Sequence, residues 1–149
     1  MKIAIIGAGN LGLSIAKGLL TNNIITQLYL TKRNTSSISD WNEYKNTHIT
    51  DDNAEAISSS DVIILAVQPA QLSEVLSENA HLFTEKHVLI STVTGFSIEK
   101  MEAIVGNDKF IIRSMPNTAI SVGKSMTCLC ANGKGKQRLS LAEAIYNSL

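Results

Sequence analysis

Met1-Lys-Ile-Ala-Ile-Ile-Gly7-Ala-Gly9-Asn-Leu-Gly12 decides how this chain folds. Ile3 to Ile6 is a short apolar run, the pattern of a buried parallel strand. It leads straight into Gly7-x-Gly9-x-x-Gly12 and then into helical periodicity. Strand, glycine turn and helix in that order form the dinucleotide-binding fingerprint. Gly7 makes the turn out of the strand. Gly9, lacking a side chain, lets backbone approach a pyrophosphate. Gly12 lets the helix pack against the sheet. The free amides and positive dipole end of that helix suit phosphate.

Beyond this turn, strands and helices alternate. This predicts an α/β fold, a doubly wound, Rossmann-like, mostly parallel sheet with helices on both faces. Strands are expected at 2–6, 27–31, 48–50, 61–67, 87–92 and 110–113, with a seventh at 126–131. Within Asp61 to Val67 every residue after the aspartate is apolar, as a central strand covered on both sides requires. Helices are expected at 10–20, 34–46, 53–59, from Pro69, from Ser97, and over 137–149. In the last, Leu139, Ala142, Ile145 and Leu149 share one face. Trp41 and Tyr44 read as packing residues.

The 149 residues include 13 basic and 13 acidic side chains, so the net charge is zero. No basic stripe stands out, which argues against nucleic acid. The apolar runs are too short to span a bilayer, and Met1 begins the first strand almost at once. A cytoplasmic protein without a signal peptide is therefore expected. Cys128 and Cys130 are expected to be half-buried on opposite faces of a strand, unpaired. No metal site is expected, because His48, His81 and His87 show no ligand spacing.

The nucleotide follows from the end of the second strand. NAD-binding domains place a carboxylate there, about twenty residues beyond the glycines. This chain has Thr31-Lys32-Arg33-Asn34, with no carboxylate before Asp40. Lys32 or Arg33 would instead neutralise a 2′-phosphate, so NADP(H) is expected over NAD(H).

Three further segments carry a resemblance. They are Leu65-Ala-Val-Gln-Pro-Ala-Gln-Leu72, Ser91-Thr-Val-Thr-Gly-Phe-Ser-Ile98 and Ile112-Arg-Ser-Met-Pro-Asn-Thr-Ala119. Together with the N-terminal turn, the chain resembles the pyrroline-5-carboxylate reductase family over nearly its whole length. The resemblance implies NADPH-dependent reduction of 1-pyrroline-5-carboxylate to L-proline, the last step of proline biosynthesis. Residues 1–132 would be the NAD(P)-binding domain. Residues 133–149 would begin a helical domain that dimerises and holds the imine. A homo-oligomer, joined through that helix or domain, would follow.

By the same resemblance, Ile6, Gly7, Ala8, Gly9, Asn10 and Leu11 form the pyrophosphate loop. Asn34 sits at the 2′-phosphate corner beside Arg33, and Asn53 near the adenosine. Ala66, Val67, Gln68 and Pro69 pass the ribose and nicotinamide. Thr94 and Gly95 flank the nicotinamide, and Met115, Pro116 and Asn117 close that pocket. All but Asn53 are expected past the C-terminal end of a strand. Gln68 replaces a lysine usual in the family, Val93 and Thr94 a small pair, and Ala119 a proline. No catalytic acid is assigned. A non-catalytic NADP-binding module and a related NADP-dependent oxidoreductase with another substrate, such as a deazaflavin, are the alternatives.

Overall fold

A computed structural model describes residues 1–149, apart from the side chain of Thr118. Seven strands form one sheet: β1 (Lys2–Ile6), β2 (Gln27–Thr31), β3 (Thr47–Thr50), β4 (Val62–Leu65), β5 (Val88–Ser91), β6 (Phe110–Pro116) and β7 (Thr127–Ala131). Their spatial order is β3-β2-β1-β4-β5-β6-β7. The first six run parallel and β7 is antiparallel to β6. The expected doubly wound sheet is thus present, and β4 is its central strand.

The helices are α1 (Asn10–Thr21), α2 (Asn53–Ser58), α3 (Pro69–Asn79), α4 (Ile98–Val105) and α5 (Leu139–Tyr146). They cover both faces, because each central strand is apolar on both sides. Ile3, Ile5, Leu28, Ile64, Ile90 and Ile112 point into the core layer that holds Ile15 and Leu19 of α1 and Ile145 of α5. Ala4, Ile6, Ile63, Leu65, Leu89 and Ile111 point into the opposite layer, with Ile57, Leu72 and Met101. Burying each isoleucine or leucine among these favours folding by about 1.5–3 kcal/mol.

Local chemistry sets the helix starts. Asp52 Oδ1 accepts from the Ala54 and Glu55 amides at the head of α2, at 2.8 and 3.2 Å. Pro69 occupies the first turn of α3, where its missing N–H loses no bond. Ser97 Oγ accepts from Lys100 N at 3.3 Å and opens α4. Gly106, with φ of +95°, ends it.

Four expectations change. The 34–46 segment is a kinked 3-10 stretch, Thr35–Glu43, broken at Ile38 where φ is −132°. Ile38 is buried there, and the Trp41 and Tyr44 rings pack 5.5 Å apart. β6 runs three residues longer than its apolar core, to Pro116, because β7 pairs along that extension. The last helix begins at Leu139 after a 3-10 turn, Gly135–Arg138. There a Cβ on Gly135 would overlap the Ile111 carbonyl oxygen, so the chain is pressed against β6. Ala142, Ile145 and Tyr146 of α5 are buried in this chain's own core.

The cysteines are the fourth. Both are exposed. Strand side chains alternate with a period of two, so residues two apart share a face, and Cys128 and Cys130 do so.

Candidate functional site

The chain runs β1 to β3 toward one edge of the sheet and β4 to β7 toward the other. The direction reverses between β1 and β4, and at that switch point the strand ends leave a crevice. A cleft of about 640 Å³ lies there. Its floor is Gly7, Ala8 and Gly9, one end is Thr31 to Asn34, and the other is Ala66 to Gln68.

The glycine turn is held from both sides. Gly7, with φ of +100°, donates its N–H to Thr31 Oγ1 at 3.3 Å, and Ala8 N donates to the Thr31 carbonyl at 2.8 Å. A Cβ on Gly7 would meet the Ala66 carbonyl oxygen at 2.8 Å, so no side chain fits between β1 and β4. A Cβ on Gly12 would overlap the Gly7 carbonyl oxygen. Gly9 differs, since a Cβ there meets nothing within 4 Å and would project into open space. Gly9 caps α1 without a side-chain hydrogen bond, and the first intrahelical bond is Leu13 N to Gly9 O at 2.8 Å. The amides of Asn10, Leu11 and Gly12 are therefore the orphan donors of that helix. This cradle fits a pyrophosphate: bare backbone, free donors and a positive dipole end.

The β2 end supplies charge. Lys32 and Arg33 line the cleft, and neither has an ion-pair partner among the described residues. Asn34 follows, ahead of the 3-10 stretch, its carbonyl accepting from Ser37 Oγ at 2.7 Å. Asn53 also lines the cleft. It lies three residues past Thr50, the last residue of β3, and β3 is parallel to β2. Asn53 therefore shares the C-terminal edge of the sheet with the other candidates, contrary to the sequence expectation.

At the opposite wall, Ala66 N donates to the Ile6 carbonyl at 2.8 Å, fixing the β4 end to β1. Gln68 caps α3, its N–H donating to Gln71 Oε1 at 3.3 Å. Pro69 is exposed at the first turn, beside the cleft. Ile6 is fully buried and does not line the cleft. Asn10 and Leu11 sit just past the floor in the first turn of α1.

Thr94, Gly95 and Asn117 are exposed beyond the β4 wall, past the ends of β5 and β6, and do not line the cleft. Their loops are braced nonetheless. Arg113 Nη2 donates to the Val93 carbonyl at 3.3 Å, tying the β5–α4 loop to β6. Asn117 Oδ1 accepts from Ala119 N at 3.0 Å, and Asn117 N donates to Ser125 Oγ at 3.1 Å.

Sequence reading missed the outer wall, which is Asp51 together with Gln71, Glu74, Val75 and Glu78 of α3. The last four follow the i, i+3, i+4, i+7 pattern of one helical face, a signal carried by the sequence itself.

Topology, glycine turn and orphan amides together define a Rossmann-type dinucleotide-binding domain. The chain belongs to the family described as NADP oxidoreductase, coenzyme F420-dependent, whose sequence model matches residues 2–95, and within it to the pyrroline-5-carboxylate reductases as their N-terminal nucleotide-binding domain. It is 43% identical to pyrroline-5-carboxylate reductase 1 of Dictyostelium discoideum, over 99% of this chain and 29% of that protein. It superposes with a TM-score of 0.90 on a pyrroline-5-carboxylate reductase from Coxiella burnetii, at 32% identity, covering 98% of this chain and 55% of that one. A Plasmodium falciparum pyrroline carboxylate reductase with NADP bound matches at a TM-score of 0.83 and 28% identity, over 99% and 55% of the two chains. This chain therefore spans about half or less of these relatives.

Proposed function

We propose that this chain is the NADP(H)-holding half of a reductase that converts 1-pyrroline-5-carboxylate to L-proline. The observation that carries the reading is the pair Lys32 and Arg33. These cations, without an ion-pair partner among the described residues, stand at one end of a cleft whose floor is the glycine turn. When bound, NADPH supplies the hydride that the C=N carbon receives.

The chain's own residues bind and orient. The Asn10, Leu11 and Gly12 amides hold the pyrophosphate. Lys32 and Arg33 neutralise the 2′-phosphate, Arg33 through its planar fork of donors, with Asn34 adding a hydrogen bond. Asn53 borders the adenosine side, and Ala66 to Pro69 border the ribose. Thr94, Gly95 and Asn117 flank the nicotinamide, where the Arg113 bond to Val93 ties the β5–α4 loop to β6. The proton for the imine nitrogen and the imine pocket come from outside this domain. So does homo-oligomer assembly, because the apolar face of α5 is already buried here.

Calorimetric titration with NADPH and NADH tests this reading. NADPH is expected to bind more tightly. Arg33→Ala should weaken NADPH by about ten- to hundredfold, the worth of a charged hydrogen bond, and leave NADH nearly unchanged. Equal losses for both nucleotides remove the 2′-phosphate assignment. Adding 1-pyrroline-5-carboxylate to this chain should give little oxidation of NADPH. Addition to a chain extended through the following domain should give turnover. Turnover with a deazaflavin in place of the imine would assign the other substrate class.

A further inference from the structure

The edge strand β7 carries two thiols that the nucleotide cleft does not use. Cys128 and Cys130 are both free and exposed. β7 lies antiparallel to β6, with Met115 opposite Cys128 and Arg113 opposite Cys130. Directly opposed residues point to the same side of a sheet, their Cβ atoms about 4.5–5.5 Å apart. The alternate positions, Leu129 and Ala131, pack on the other side, against the core that holds α1 and α5. One face of this edge therefore presents two thiols and a thioether, bordered by a guanidinium. Met115 is 38% exposed, and its Sδ lies 3.6 Å from Arg113 Nη2.

We propose that Cys128, Cys130 and Met115 form a binding site for a thiophilic monovalent cation of the Cu(I) type, held by two thiolates with the thioether as third donor. Geometry favours a metal over a disulfide. Two residues of strand advance about 6.6 Å. A disulfide needs Cβ atoms within about 3.5–4.5 Å, so the strand would have to bend. A metal held in a plane by three sulfurs needs the two thiolates to converge only to about 4.0 Å, for metal–sulfur bonds of about 2.3 Å. Rotation about each χ1 moves the sulfurs toward or away from each other with the backbone in place.

Donor chemistry selects the ion. Thiolate and thioether are soft ligands, which suit Cu(I). Among the described residues no three His, Cys, Asp or Glu side chains gather, so the four-ligand site that structural zinc takes is not offered. Charge also matches. Binding releases two protons, M⁺ + 2 RSH → [M(SR)₂]⁻ + 2 H⁺, with no change of oxidation state. The complex carries one negative charge, which Arg113, opposite Cys130, compensates. Affinity therefore rises with pH.

The test is anaerobic titration with Cu(I) presented as the complex of a chromophoric chelator. The chain should withdraw one Cu(I) and release two protons. Cys128→Ser and Cys130→Ser should each weaken binding by more than the 10- to 100-fold, roughly, that loss of a supporting residue costs. Met115→Leu should weaken it by about tenfold, with the circular dichroism of all three variants unchanged. The proposal is overturned if the chelator keeps its Cu(I) equally against the parent chain and the double serine variant. One metal per two chains with a shift to dimer also overturns it, since copies would then be bridged. So does Zn(II) displacing Cu(I) at equal concentration.

Discussion

Thr31 holds Gly7 by its side chain: the Gly7 N–H donates to Thr31 Oγ1 at 3.3 Å, while the next amide, Ala8, donates to the Thr31 carbonyl at 2.8 Å. The last residue of β2 thereby fixes the turn that leaves β1. It also occupies the Ala8 amide, which leaves phosphate binding to the amides that open α1.

Thr31→Val keeps the shape of that residue and removes the acceptor. The Gly7 N–H then lacks a partner, at a cost of about 1–3 kcal/mol. Urea unfolding should show this loss, and NADPH titration a matching drop in affinity. Thr31→Ser should restore both. A valine variant as stable and as tight as the parent would show that the bond carries nothing.

The glycines at 9 and 12 should separate binding from folding. A Cβ on Gly12 overlaps the Gly7 carbonyl oxygen, so Gly12→Ala forces α1 away from the turn and should cost about 1–3 kcal/mol of stability. Gly9 has an extended backbone, φ −87° and ψ −167°, and open space at its Cβ. Serine is a good N-cap, so Gly9→Ser should leave stability within a few tenths of a kcal/mol. Its side chain nevertheless stands where the pyrophosphate belongs, and nucleotide affinity should fall by about tenfold or more. Thermal melts and calorimetry of the two variants decide it. Unchanged nucleotide binding by Gly9→Ser would move the phosphate elsewhere.

The strands were legible because each central one is an apolar run closed by turn residues, and the glycine turn because its spacing is local. What escaped the sequence rests on long-range pairing. Nothing near Pro116 announces that β6 extends that far; β7, eleven residues on, determines it. The outer wall on α3 was periodic in sequence, yet only the fold shows that this face meets the cleft. Thr31 could be suspected of touching a phosphate, but not of bracing Gly7, which lies 24 residues away.

Asn132 is another such residue. It is 7% exposed at the end of β7. Its Oδ1 accepts from Ile111 N at 3.2 Å and from Gly135 N at 2.6 Å, and its Nδ2 donates to Glu102 Oε1 at 2.9 Å and to the Lys109 carbonyl at 3.0 Å. Asn132→Leu strands the two amides and should cost about 3 kcal/mol or more. Asn132→Asp keeps the acceptor but loses both donors beside Glu102, and should fall between leucine and the parent. Urea midpoints of the three proteins rank them. A leucine variant within about 0.5 kcal/mol of the parent, the range of an ordinary surface change, would refute the network.

Tyr146 gives the fold an alkaline limit. Its hydroxyl lies 2.6 Å from Ser114 Oγ, joining α5 to β6 inside the core. Burial pushes its pKa up to about 12, against a smaller opposing pull from the Ser114 hydrogen bond. The folded state thus keeps a proton that the unfolded chain loses near pH 10. Stability from this group is fully present below about pH 10, declines as pH rises, and is lost through pH 12. The two-unit difference corresponds to something on the order of 2–3 kcal/mol. Tyr146→Phe should lower stability at neutral pH by about 1 kcal/mol, because Ser114 loses its buried partner. Between pH 10 and 12 the parent should lose stability faster than the phenylalanine variant, and the gap between them should close or reverse. Unfolding free energies measured at intervals across that range test the sign directly; parallel pH profiles would mean that Tyr146 ionises as freely in the folded chain as in the unfolded one.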